Sequence, residues 1–131
     1  SMVEIAGGRV VPVSLDPDNN FRVTREILEA AVTPGTRGLM VNSPSNPTGR
    51  VLTLDEIEAI CTFAIEHDIL VYTDEMYEKI IYGGRKHYSI AAFPGMWDRT
   101  LTFNGLSKAY AMTGWRLGYV AGPRAFSTSQ I

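Results

Sequence analysis

Cysteine is nearly missing from this chain. With a single cysteine, Cys61, in 131 residues, it can build neither an internal disulfide nor a cysteine metal site. Cys61 itself reads as a small buried hydrophobe on a helix. An excess of charge is also missing: 12 basic against 14 acidic side chains leave a formal net charge of −2, and no basic run is longer than Arg85-Lys86. The field that recruits nucleic acid or an anionic membrane is therefore not expected. No apolar run approaches the roughly 20 residues needed to span a bilayer. The N-terminus lacks the charged-then-apolar order of a signal peptide, and a cytoplasmic setting is the expectation. Ser1 ahead of Met2 reads as a remnant of tag cleavage and is set aside from fold reasoning. What remains, 45% hydrophobic and 20% charged, has the composition of one soluble globular domain.

No internal repeat or low-complexity linker divides the chain. Val10 to Leu15, interrupted by Pro12, suits an edge strand or a loop approach, and Asp16-Pro17-Asp18-Asn19-Asn20 is turn chemistry. Thr24 is placed to cap a helix carrying Ile27, Leu28 and Ala31, with Val23 and Leu28 as its hydrophobic staple and Pro34-Gly35 as its stop. A second helix is clearer. Thr53 and Glu56 have capping-box spacing, and Ile57, Ile60, Cys61, Ala64 and Ile65 repeat on one face. Four short apolar stretches read as strands: Gly38 to Ser43, Ile69 to Thr73, Leu101 to Phe103 and Leu117 to Ala121. Apolar strands alternating with helices predict an α/β fold, a mainly parallel sheet with flanking helices on both faces.

In such a sheet, ligands bind beyond the carboxyl ends of the strands. Three polar groups follow three successive strands here: Asn46, Asp74 and Lys108. Taken singly, each has an ordinary explanation. Asp74 reads equally as a turn acid, Asn46-Pro47-Thr48-Gly49 as a turn, and Lys108 as a solvated surface lysine. Topology alone carries the reading only as far as an α/β enzyme.

The combination of motifs carries it further. Ser43-Pro44-Ser45-Asn46-Pro47-Thr48-Gly49, then Thr73-Asp74-Glu75-Met76-Tyr77, then the run from Asn104 through Ser107-Lys108 and Gly114-Trp115-Arg116 to Tyr119 resembles the fold-type I pyridoxal-phosphate enzymes. Within that superfamily the chain is similar to the class I/II aminotransferases related to aspartate aminotransferase, from about Gly7 to Pro123. The resemblance implies pyridoxal 5'-phosphate as cofactor, and an amino acid and a 2-oxo acid as small-molecule partners. It implies no nucleic-acid or membrane partner, and a homo-oligomer with the site at the subunit interface.

The same resemblance implies roles for individual residues. Lys108 matches the Schiff-base lysine, which attacks as a neutral amine, favoured in a dry pocket, and later shuttles a proton as general base. Asp74 matches the carboxylate that keeps the pyridine nitrogen protonated, so that the ring accepts electrons. Asn46 and Tyr77 match the two groups that hydrogen-bond the cofactor's phenolic oxygen, and Tyr77 stands with Lys108 and Asp74 in the catalytic set. Arg116, with its planar fork of donors, matches the phosphate-binding arginine, and Ser107 the neighbouring hydroxyl on the same phosphate. Gly105 departs from the pattern, because family members often carry a serine or threonine three residues before the lysine. The family's Asn46-Pro47 peptide bond is commonly cis. Trp115 and Tyr119 read as packing residues.

Members of the family are much longer. Residues 1–131 are accordingly read as a partial cofactor-binding (large) domain, without the Gly-rich segment that cradles the phosphate upstream and without the small domain downstream. An aminotransferase core, incomplete as this chain, is the leading expectation. The alternatives are a non-catalytic folded remnant that oligomerises, a pyridoxal-phosphate lyase or synthase of the same fold, and the sensor domain of a transcription regulator.

Overall fold

A computed structural model describes residues 2–127. Their elements run α1 (Met2–Ile5), α2 (Arg25–Ala31), β1 (Gly38–Asn42), α3 (Leu54–Glu66), β2 (Leu70–Asp74), β3 (Thr100–Gly105), β4 (Gly118–Ala121) and α4 (Arg124–Ser127). Single 3-10 turns at Ile90–Ala92, Trp97–Arg99 and Thr113–Trp115 lie between them. All four expected strands form, with ends displaced by a residue or two. Val10 to Leu15 takes the loop alternative, with Pro12 removing a donor that a strand would need.

The strands lie side by side in chain order. β1 pairs parallel with β2, and β2 with β3, while β4 returns antiparallel to β3, giving a mixed sheet that is parallel in its first three strands. Register sets which side chains share a face, because successive residues point to opposite sides. Val71 and Thr73 align with Thr100 and Thr102 and with Leu39 and Val41. This face is closed by α3, whose Ile57, Ile60, Cys61, Phe63 and Ala64 join Leu28, Ile69, Val71, Ile90 and Met96 in one core. Fully burying an isoleucine such as Ile57 or Ile60 contributes about 1.5–3 kcal/mol.

Two expectations are corrected here. Ile65 was placed on the apolar face of α3 but is 43% exposed, and Phe63 takes the buried position. The sheet was expected to be covered on both faces, yet the second face is open among the described residues. Met40 is 70% exposed, Phe103 38% and Val120 54%, and register places the three on the same side. The physical reason is that α2 and α3 both contribute their buried residues to the core on the first side.

α3 begins as expected. Thr53 is its N-cap, and the Glu56 carboxylate accepts from the Thr53 backbone N–H at 2.9 Å and hydroxyl at 3.0 Å. Glu56 also accepts from Arg50 Nη2 and from the Val23 N–H, both at 2.7 Å, although its side chain is only 1% exposed. Burial pushes this carboxyl up, but the bonds from Arg50, Thr53 and Val23 outweigh it and hold it below its ordinary range. One buried acid thus fastens α3 to the segment before α2 and to the loop after β1. Thr24 caps α2 without a side-chain bond to the helix backbone.

Candidate active site

The candidate residues gather beyond the C-terminal ends of β1, β2 and β3. Asn42 ends β1 beside Asp74, which ends β2, and Asp74 is in turn beside Phe103. The Asn42 side chain links the strand ends: its Nδ2 donates to the Asp74 carbonyl at 3.2 Å, and its Oδ1 accepts from the Asn46 N–H at 2.8 Å. The loop from Ser43 to Arg50 folds tightly over this point. Gly49 donates to Ser45 O and Ser45 to Arg50 O, both at 2.8 Å. The Asn46-Pro47 peptide is cis as expected, and Ser43-Pro44 is cis as well.

Asn46 and Tyr77 meet. The amide Nδ2 of Asn46 donates to the Tyr77 hydroxyl at 3.2 Å. Lys108 joins them with its Nζ 5.8 Å from the centroid of the Tyr77 ring, an attraction of about 0.5–1 kcal/mol at an exposed position. Asp74 is exposed on the open face. Its Oδ1 accepts from the Met76 N–H at 3.1 Å, so the turn-acid reading of Asp74 holds for that oxygen. Among the described residues Oδ2 has no hydrogen-bond partner.

Lys108 sits in the loop between β3 and β4, which closes on itself. Leu106 N–H donates to Leu117 O at 3.2 Å, Met112 N–H to Leu106 O at 3.3 Å, and the Thr113 hydroxyl to Ser107 O at 3.0 Å. Ser107 is thereby fixed through its carbonyl. Arg116 makes no hydrogen bond to Asn46, Tyr77 or Lys108 among the described residues: its guanidinium donates to Thr113 O at 3.4 Å, and its backbone is left-handed at φ 54°. The dry pocket expected around Lys108 is not formed by the described residues, because its side chain is exposed. Trp115 and Tyr119, expected to pack, are 70% and 53% exposed: Trp115 stands in the turn before β4, and Tyr119 lies on that edge strand, every residue of which is exposed.

The aminotransferase class I and II family model matches residues 1–130. The chain belongs to this family. It is similar to the aromatic-amino-acid aminotransferase 2 of Thermococcus litoralis, 52% identical over 92% of the chain and 31% of the relative. An aspartate aminotransferase of Musicola paradisiaca is 51% identical over 94% of the chain, again 31% of that relative. Among solved structures, the aromatic aminotransferase of Pyrococcus horikoshii superposes at TM-score 0.90 with 51% identity, over 92% of this chain and 32% of that one. The N-succinyldiaminopimelate aminotransferase of Mycobacterium tuberculosis gives TM-score 0.91 at 40% identity, over 95% of this chain and 33% of that one. The chain therefore spans about 31% of the length of the curated relatives it matches. These neighbours share its fold-type I sheet with flanking helices, and members of the family use pyridoxal phosphate. No helix among the described residues is long and apolar enough to cross a membrane.

Four residues at the site escaped the sequence reading. Asn42 reads as the end of a strand, which it is, and a polar residue at a strand's carboxyl end is a usable signal for the site. Glu75, which is buried, and His87 and Ser89, which are half-buried, form a polar group behind Asp74. Their positions are distant in sequence and follow no helical or strand period.

Proposed function

We propose that this chain is the partial large domain and cofactor-binding core of a pyridoxal-phosphate-dependent aminotransferase, moving an amino group between an amino acid and a 2-oxo acid. The observation that carries the reading is the approach of Asn46, Tyr77 and Lys108 beside the free carboxylate oxygen of Asp74. An amine, an amide–phenol pair and a carboxylate form a donor set that fits the ring of the cofactor. When bound, pyridoxal phosphate supplies an aldehyde for attachment and an electron-accepting ring.

The chain's own residues divide the remaining work. The Lys108 amine is the attachment point and the base that moves the substrate proton. Asp74 Oδ2 holds a proton at the ring nitrogen, and the Asn46 amide and Tyr77 hydroxyl orient the ring through its oxygen. Ser107 and Arg116 would hold the phosphate, Arg116 with the guanidinium donors that its single bond to Thr113 O leaves available. The open sheet face, with Met40 and Val120 exposed, supports self-association in a cytoplasmic setting.

The test is to mix the chain with pyridoxal phosphate, reduce with borohydride and map the mass adduct. The expected result is an adduct on Lys108 that disappears in Lys108→Ala. An equal adduct in Lys108→Ala, or none in either protein, would refute the reading. The exposure of Lys108 favours one competing reading, a folded remnant that binds cofactor weakly. An adduct that forms only at large cofactor excess, without amino-group transfer, would select it.

A further inference from the structure

Asp74 and Glu75 are neighbours with opposite surroundings. Asp74 is exposed on the open face, whereas Glu75 is 2% exposed. Glu75 continues the ladder one residue past β2, its N–H donating to Phe103 O at 2.9 Å. By strand alternation its carboxylate points to the side opposite Asp74.

Both carboxylate oxygens are engaged there. Oε2 is 2.8 Å from Nε2 of His87, and Oε1 accepts from the hydroxyls of Ser89 at 2.9 Å and Thr73 at 3.3 Å. His87 and Ser89 come from the far end of the excursion that leaves the sheet at residue 76. The whole loop is thus closed across one side chain. Between residues 75 and 89 Glu75 alone is buried, and the tip from Tyr82 to Lys86 is exposed.

Tyr77 rides on the first turn of this loop. Glu78 N–H donates to Glu75 O at 2.9 Å, Ile80 N–H to Tyr77 O at 2.8 Å, and the Tyr77 hydroxyl meets Asn46. Glu78 also approaches, with one ligand-type atom from each of Glu75, Glu78 and His87 within 4.8 Å of the others. Because both Glu75 oxygens already have hydrogen-bond partners, the cluster is complete as a clamp. We propose that Glu75 is a positioning residue: its buried carboxylate, gripping His87 and Ser89, holds Tyr77 in register with Asn46. The proposal rests on the reading of Tyr77 as a cofactor contact for its consequence in function, but the clamp itself does not.

Two measurements separate these. In the cofactor-free chain, Glu75→Gln exchanges the carboxylate oxygen facing His87 or Ser89 for an amide NH2, which removes a charge-assisted acceptor from the clamp, and the amides of Met76, Glu78 and Ile80 should exchange hydrogen roughly tenfold faster. The amides of Ile60 and Ala64 in α3 should be unchanged. Unaltered exchange in the loop, or an equal acceleration in α3, would overturn the clamp. Spectral titration with pyridoxal phosphate should show Glu75→Gln weakening the apparent Kd about 2–10-fold, the range of one hydrogen bond. The same change made in Tyr77→Phe should have little further effect, whereas a merely structural loss would weaken both backgrounds equally and refute action through Tyr77. If the wild-type chain takes no cofactor while loop exchange responds as expected, the cofactor reading fails and the clamp stands.

Discussion

Replacing Glu56 by glutamine tests whether one buried acid holds the scaffold of the site. The carboxylate has two sides: Oε1 takes the Val23 N–H, and Oε2 takes Arg50, the Thr53 N–H and the Thr53 hydroxyl. A glutamine amide has only one oxygen. Turned toward Arg50 and Thr53, it sets an NH2 against the Val23 N–H; turned the other way, it sets an NH2 against Arg50. Leaving one buried donor unsatisfied costs about 1–3 kcal/mol, and the lost charge weakens the bond to Arg50 by about 1 kcal/mol more. The expected destabilisation is about 2–4 kcal/mol, a large part of the roughly 5–15 kcal/mol typical of a domain. Urea unfolding followed by circular dichroism should show the midpoint falling at unchanged slope. Glu66→Gln is the control: its partner Arg25 is a solvent-exposed ion pair, and the midpoint should not move measurably. A Glu56→Gln midpoint indistinguishable from that control would refute the account.

Three further outcomes are expected of the same molecule. The folded-state pKa of Glu56 is depressed, so its contribution is complete above its ordinary value of 4.5 and is lost as pH falls through the folded value; unfolding midpoints should drop steeply below about pH 4.5 in the wild type and less in Glu56→Gln. Cys61 is 6% exposed, and burial, with help from the charge of Glu58, pushes its thiol up to about 11; a thiol reagent at neutral pH should label it only after urea is added. A Cβ at Gly105 would lie 2.9 Å from Leu117 O, 3.0 Å from Met76 Cε and 3.2 Å from Gly118 Cα. Gly105→Ser should therefore cost about 1–3 kcal/mol in the urea assay and gain no phosphate contact.

Much of the fold was legible because it follows local periods. The capping pair Thr53 and Glu56 and the apolar spacing from Ile57 to Ala64 announce α3, and four apolar runs announce the strands. Ile65 and Phe63 flank the stripe on opposite sides, and it is Phe63 that α2 covers, with Arg25 over its ring. Apolar composition could not reveal the open face. Met40 and Val120 have the character of buried residues, and whether they are covered depends on what lies above them. At the site, the strand-end rule located Asn46, Asp74 and Lys108, while the motif resemblance added Tyr77. Glu75 remained hidden because its partners lie 12 and 14 positions downstream, joined to it by a loop with no regular element.

The departure at Gly105 acquires a physical meaning from the packing of β3 against β4. β3 and β4 approach so closely at Gly105 and Gly118 that a side chain at position 105 would press on the backbone of Leu117 and Gly118. The pairing of Leu106 N–H with Leu117 O, immediately beyond, starts the loop that carries Lys108. Met76 Cε, from the loop that carries Tyr77, fills the other side of the same gap. The residue that departs from the family pattern is therefore the contact point between the Lys108 and Tyr77 loops. With no side chain at 105, Leu117 O and Met76 Cε stand 2.9 and 3.0 Å from where a Cβ would be, so any larger residue must displace the strand that follows the Lys108 loop or the loop that carries Tyr77.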